Sequence, residues 1–157
     1  MNLKELNILL ADDDTDDCVF FKEAVLELLP STNLTSVHDG EQLMKFLMDE
    51  KNQLPHVLFL DLNMPRKNGF ECLSEIKSNE ILKNLRVIMF STSYEQEVVN
   101  QLYQNGAQYF IRKPSEFSQF KKIIQQTLKT IAHEHPANEL ESISRPSREN
   151  FVLAVQN

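Results

Sequence analysis

The chain has 157 residues, 41% of them apolar and 25% charged, and a formal net charge of −7. That is about one domain of sequence, long enough to bury a core, so disorder throughout is excluded. No apolar run approaches the roughly 18 residues of a membrane span, and the acidic balance argues against sequence-independent nucleic-acid binding.

Apolar runs and turn signals then alternate along the chain. Leu6–Ala11 (LNILLA) is nearly all apolar and stops at Asp12. Cys18, Phe21, Val25, Leu28 and Leu29 follow with helical spacing, ending before Pro30, and Thr15 or Asp16 is the expected cap. Leu34–Val37 is a weaker strand signal, and Leu43, Phe46 and Leu47 mark a helix opened by Asp39. Val57–Leu60 (VLFL) stops at Asp61, and Leu73 and Ile76 form a helical stripe after Gly69. Val87–Phe90 (VIMF) stops at Ser91, and Val98, Leu102 and Tyr103 belong to a helix ending near Gly106. Tyr109–Ile111 stops at Arg112 and Lys113, and Phe117, Phe120, Ile124, Leu128 and Ile131 form an amphipathic stripe.

Short apolar runs of this kind are how strands buried on both faces look. Five of them alternating with five helices predict a doubly wound α/β sheet. Residues 5–131 would hold this domain. From about His133 the composition turns polar, with Pro136 and Pro146, before an apolar patch at Phe151–Val155. Residues 132–157 are expected to be a tail outside the core, too short for a separate output domain. Its FVLAV patch is a candidate to pack on the domain or on a neighbouring chain as an added strand. Cys18 and Cys72 are too few for a disulfide framework and read as small core residues. The opening MNLKELN lacks a signal peptide's apolar stretch, so the expected compartment is the cytoplasm.

In open parallel sheets, ligands bind beyond the carboxyl ends of the strands. The residues there are Asp12 and Asp13, Asp61, Ser91 and Thr92, and Lys113. Clustered carboxylates repel one another unless a cation sits among them, and oxygen ligands suit a hard divalent ion, magnesium by preference. A lysine and a hydroxyl beside that ion make a place for a phosphoryl group. Asp61 could then act as a nucleophile that becomes an aspartyl phosphate.

ILLADDD, LDLNMPRKNGFE, VIMFSTS and YFIRKPSEF, in this order and spacing, resemble the receiver domain of bacterial response regulators over roughly residues 5–131. The resemblance implies a flavodoxin-like (βα)5 fold with five parallel strands in the order 2-1-3-4-5. It also implies a stand-alone phosphoacceptor of two-component signalling, phosphorylated from a phosphohistidine of a sensor kinase or phosphotransfer protein. Asp61 matches the phosphoacceptor, Asp13 a direct magnesium ligand, Asp12 a ligand acting largely through water, and the Asn63 carbonyl a third protein ligand. Ser91 matches the hydroxyl residue that moves onto the phosphoryl group, Lys113 the lysine that pairs with it, and Pro114 the proline after it. Phe110 matches the aromatic whose rotamer reports the phosphorylated state; lacking a hydroxyl, it must act by packing alone. The surface of helix 4, strand 5 and helix 5 would contact an output partner or a second receiver, and the tail is a second candidate homodimer contact. Such a domain is not an enzyme toward outside substrates; it catalyses only its own phosphorylation and dephosphorylation. The KSNEILKNL link and the STS after strand four look like a subgroup of stand-alone receivers, some of which serve phytochrome-type or other hybrid kinases.

Rival readings are weaker. Asp12, Asp14, Asp16 and Glu23 fall at calcium-loop spacing, but Asp17 stands where the sharp turn needs Gly. A haloacid-dehalogenase-type phosphatase would carry its nucleophile in a DxD motif after the first strand, whereas Asp61 follows the third and Asn63 replaces the second Asp. Asp14, Asp16 and Asp17 read as solvated helix-terminal charge. His133 and His135 are not expected to form a metal site.

Overall fold

The computed structural model describes residues 6–134 and 145–154. Each apolar run forms a strand: β1 Asn7–Ala11, β2 Asn33–Val37, β3 Val57–Asp61, β4 Arg86–Ser91 and β5 Tyr109–Arg112. Helices fill the intervals: α1 Thr15–Leu28, α2 Gly40–Met48, α3 Gly69–Ser78, α4 Gln96–Gln104 and α5 Phe117–Glu134. All pairings are parallel, in the order β2-β1-β3-β4-β5, and a sixth strand, β6 Val152–Leu153, adds to the free side of β5.

The period-2 alternation of each strand divides the core between two faces. Phe59, Ile88 and Phe90 face α1 and α5, where Phe21 meets Phe59 edge-on with ring centroids 4.9 Å apart. Leu58, Leu60, Val87, Met89 and Phe110 face α2, α3 and α4. The α5 stripe is buried at Phe120, Ile124, Leu128 and Ile131 as expected, with Ile123 added, but Phe117 is 39% exposed. It lies one turn too early and stacks on Phe20 at the helix entrance, at 4.5 Å.

Two caps locate the loops that matter. Asp39 opens α2 by accepting from the Gln42 backbone N–H. At α1 the cap is Asp14, which accepts from the Asp17 N–H, and not Thr15 or Asp16, which lie inside the helix. With three acids in a row, the one left in extended backbone becomes the cap, and that is set by where β1 releases the chain. The same fact removes the calcium-loop reading, because Asp16 and Glu23 are both helical and exposed.

The C-terminal segment departs from the expectation of a tail outside the core. After a 3-10 turn at Arg148–Asn150, Phe151 is fully buried in the α2–α4 layer, 5.1 Å edge-on from Tyr103. The Phe110 N–H donates to the Phe151 carbonyl at 3.0 Å, which begins the β5–β6 ladder. Arg145 donates to the carbonyls of Tyr103 and Ala107, both at 2.7 Å, and its guanidinium lies 4.3 Å from the Tyr103 ring centroid. These carbonyls lie around the C-terminal end of α4, where a cation is favoured. Tyr103 donates its hydroxyl to the Pro146 carbonyl at 3.0 Å, and Arg148 binds Asn100 Oδ1 at 2.6 Å. The described part of the FVLAV patch, Phe151–Ala154, therefore packs on its own domain, with an added strand at Val152–Leu153, and Val155 lies outside the described residues. Among the described residues no helix is long and apolar enough to cross a membrane. The His133 side chain and His135 lie outside what the structure describes.

Candidate functional site

Because β1 and β3 are neighbours while their helices leave to opposite faces, the loops after them part and open a crevice. Asp12 leaves β1 and is fully buried. Its backbone N–H donates to Val37, its Oδ1 accepts from the Asp14 N–H at 2.9 Å, and its Oδ2 accepts from Lys113 Nζ at 2.8 Å. Asp13 follows it, exposed at the rim. Asp61 ends β3 and is buried. Oxygens of Asp12, Asp13 and Asp61 lie within 4.8 Å of one another.

The β3–α3 loop is held close by Gly69, which starts α3 and donates its N–H to the Leu62 carbonyl at 2.8 Å. Any Cβ there would overlap the Asp61 backbone carbonyl, so the carboxylate's position depends on glycine at this residue. Asn68 caps the same helix in a reciprocal pair with Glu71, which anchors the loop's far end.

Ser91 ends β4, fully buried. Its hydroxyl oxygen accepts from Asn63 Nδ2 at 3.3 Å and from the Ser93 N–H at 3.2 Å, and shares a further bond with the Ser93 hydroxyl. Lys113 follows β5, its N–H bonded to the Ser91 carbonyl at 2.8 Å. Its ammonium contacts Asp12 at 2.8 Å, Asp17 at 2.9 Å and Asp61 at 3.8 Å, over the Phe90 ring at 4.5 Å. The Lys113–Pro114 peptide is trans.

The electrostatics follow from burial. Desolvation pushes the Asp61 carboxyl up to about 7, with Lys113 pulling it down and the Asp12 charge adding to the rise. Asp12 is raised for the same first reason, against the pull of Lys113. Burial alone would depress Lys113, but the carboxylates of Asp61 and Asp12 outweigh it and hold the ammonium charged. The pocket thus carries more negative charge than its one lysine balances, and an added cation would relieve it.

Three all-oxygen carboxylates around one point, two of them desolvated, fit a hard divalent cation. The structure brings together Asp12, Asp13, Asp61 and Lys113, and joins Ser91 to Asn63 by a hydrogen bond. Phe110 lies elsewhere: it is fully buried on the α4 side, edge-on to the partly exposed Tyr94 at 6.0 Å. It is already inside the core, so a rotamer change there would not be a swing in from solvent. Cys72 is core; Cys18 is half-buried and donates its thiol to the Asp12 carbonyl at 3.4 Å. Burial and the nearby Asp12 charge push that thiol up to about 12, so it is no nucleophile. The sequence reading missed Asp17, set aside as solvated charge. Its spacing from Asp12 was visible; its partner, Lys113, was not.

The sequence profile of the response regulator receiver domain matches residues 8–125, so the chain belongs to the response regulator receiver family. Rcp1 of Synechocystis sp., a response regulator, is 30% identical over 122 residues, covering 75% of this chain and 83% of Rcp1. The crystal structure of Mn2+-bound Rcp1 superposes with a TM-score of 0.76 at 28% identity, over 90% of this chain and 99% of that one. Phosphorylated RcpA, a cyanobacterial phytochrome response regulator, gives 0.74 at 29% identity, over 78% of this chain and 91% of its own. The chain is a phosphoacceptor receiver of two-component signalling with the flavodoxin-like fold, extended by one short strand.

Proposed function

We propose that Asp61 is the phosphoacceptor and that a phosphohistidine of a sensor kinase or phosphotransfer protein is the donor. The observation that carries this reading is Asp61 itself: a buried carboxylate at the end of the third strand, within 4.8 Å of the Asp12 and Asp13 oxygens and 3.8 Å from Lys113. A carboxylate oxygen of Asp61 attacks phosphorus in line as the phosphorus–nitrogen bond to the donor imidazole breaks, and the electron pair of that bond returns to the ring nitrogen. Asp12, Asp13 and Asp61, with the Asn63 carbonyl, would hold a magnesium ion, which when bound neutralises charge on the phosphoryl oxygens. Lys113 neutralises a further oxygen. The Ser91 hydroxyl exchanges Asn63 and Ser93 for a phosphoryl oxygen, which loosens the β4–α4 loop beside Tyr94 and Phe110.

On this reading the protein acts in the cytoplasm and turns over no outside substrate. Its α4–β5–α5 side, covered along β5 by the C-terminal segment, passes the signal to another protein or a second copy through the surface that β6 completes, with no nucleic-acid partner. Incubation with acetyl phosphate, followed by intact mass, tests it. One phosphoryl group should be gained with magnesium, none with chelator, and none in Asp61→Asn. Stable phosphoryl uptake by Asp61→Asn would sink the assignment.

A further inference from the structure

Lys113 is turned toward carboxylates other than the one it serves. Its ammonium bonds to Asp12 and Asp17 at 2.8 and 2.9 Å, while Asp61 lies at 3.8 Å. Asp12 is a fixed partner, fully buried and tied by its second oxygen to the Asp14 N–H. Asp17 is different. It stands in the first turn of α1, its side chain is 22% exposed, and it is not among the carboxylates that converge on the candidate metal position. Among the described residues Lys113 is the one side chain it bonds. The helix N-terminus favours a negative charge at that place, so holding Asp17 there costs little.

We infer that Asp17 is a positioning residue that holds the Lys113 ammonium in the resting state and competes with the phosphoryl group for it. The inference rests on Asp61 being the phosphoacceptor. A phosphoryl group brings close to two negative charges and three acceptor oxygens, enough to draw Lys113 off Asp17 while the Asp12 contact is kept. Asp17 therefore sets how much of the phosphoryl group's attraction for Lys113 is spent on breaking an existing pair. Without its charge, Lys113 leans on Asp12 and Asp61 alone, and the phosphorylated state becomes easier to reach.

Asp17→Asn keeps the shape and the first-turn backbone and removes the competing charge. It should take phosphoryl from acetyl phosphate at saturating magnesium about one-and-a-half- to fivefold faster than wild type, the range expected from one partly exposed ion pair. Its affinity for beryllofluoride, which mimics the phosphoryl group, should rise by a similar factor. Asp16→Asn removes an equal charge one residue away, on an exposed side chain, and should leave both near wild type. The Lys113 ammonium resonance, read by nitrogen-15 NMR without any phosphoryl group, should shift in Asp17→Asn and not in Asp16→Asn. Equal or slower phosphorylation of Asp17→Asn, an unmoved lysine signal, or the same gain in Asp16→Asn would overturn the inference. A wild type that takes no phosphoryl group and binds no beryllofluoride would overturn the phosphoacceptor reading and this inference with it.

Discussion

Strand β5 borders two regions built on opposite terms. Beyond its carboxyl end lies the acidic pocket, where buried Asp12 and Asp61 crowd one lysine and the balance of charge is left open. Along its free side lies the seat of the C-terminal segment, where each cation has a carbonyl or amide to meet and Phe151 fills the space between β5 and Tyr103. The pocket holds electrostatic repulsion that a bound cation relieves, so it is built to respond. The seat satisfies its own polar groups and buries an aromatic ring, so it is built to stay closed. The two meet at Tyr94, Arg112 and Lys113, which with Thr92, Val152 and Leu153 line a shared cavity of about 700 Å³.

The largest expected effect tests the closed side. Phe151→Ala empties a fully buried site and should cost about 3 kcal/mol of unfolding free energy, read by urea denaturation. Phosphoryl uptake should persist, since the ring packs on Tyr103 and beside the Arg148 guanidinium. A loss below roughly 0.5 kcal/mol would mean that the segment contributes nothing to the core and that the contrast is false.

The next concerns the pocket and has the opposite sign. Asp61 sits at about 7 in the fold against 3.8 in the unfolded chain, so between those values the unfolded chain binds fewer protons and stability falls as pH rises. The fold's advantage is whole below the lower value and gone above the higher. Asp61→Asn escapes this penalty, and in metal-free buffer near pH 8 it should be more stable than wild type by a few kcal/mol, with the gap narrowing as pH falls below about 7 and closing near the ordinary carboxylate value. Magnesium at tenfold its Kd should return about 1.4 kcal/mol to the wild type and little to the variant. A thermal-melt series across pH, with and without magnesium, reads both. A gap that widens toward low pH would show that the burial of Asp61 has been misjudged.

The smallest effect sharpens the closed side. Tyr103→Phe keeps the edge-on ring against Phe151 and loses only the hydroxyl bond to Pro146, which should cost about 1 kcal/mol or less. If it costs as much as Phe151→Ala, the polar strap and not the ring holds the segment.

Much of the pocket was legible in the sequence because strands announce their ends. VLFL stops at Asp61 and VIMF at Ser91, and a parallel sheet aligns such ends on one edge whatever the loops do. Asp12, Asp13 and Lys113 could be placed by the same rule. Which acid in the Asp12–Asp17 run does what was not legible: Asp14 caps, Asp12 pairs inside, and Asp17 reaches a lysine 96 residues away. Identical side chains in a row are told apart only by the direction each is pointed, and α1 sets that direction once it packs.

By itself, then, the sequence determined the alternation of strands and helices, the sheet edge where the chemistry gathers and the residue types offered there. These depend on local periodicity and on where apolar runs stop. The tertiary structure alone decided that Lys113 rests on Asp12 and Asp17 and that the C-terminal segment is a sixth strand seated by Arg145 and Phe151. Each of those depends on groups far apart in the chain meeting across a buried surface, where low dielectric and close packing choose the partners.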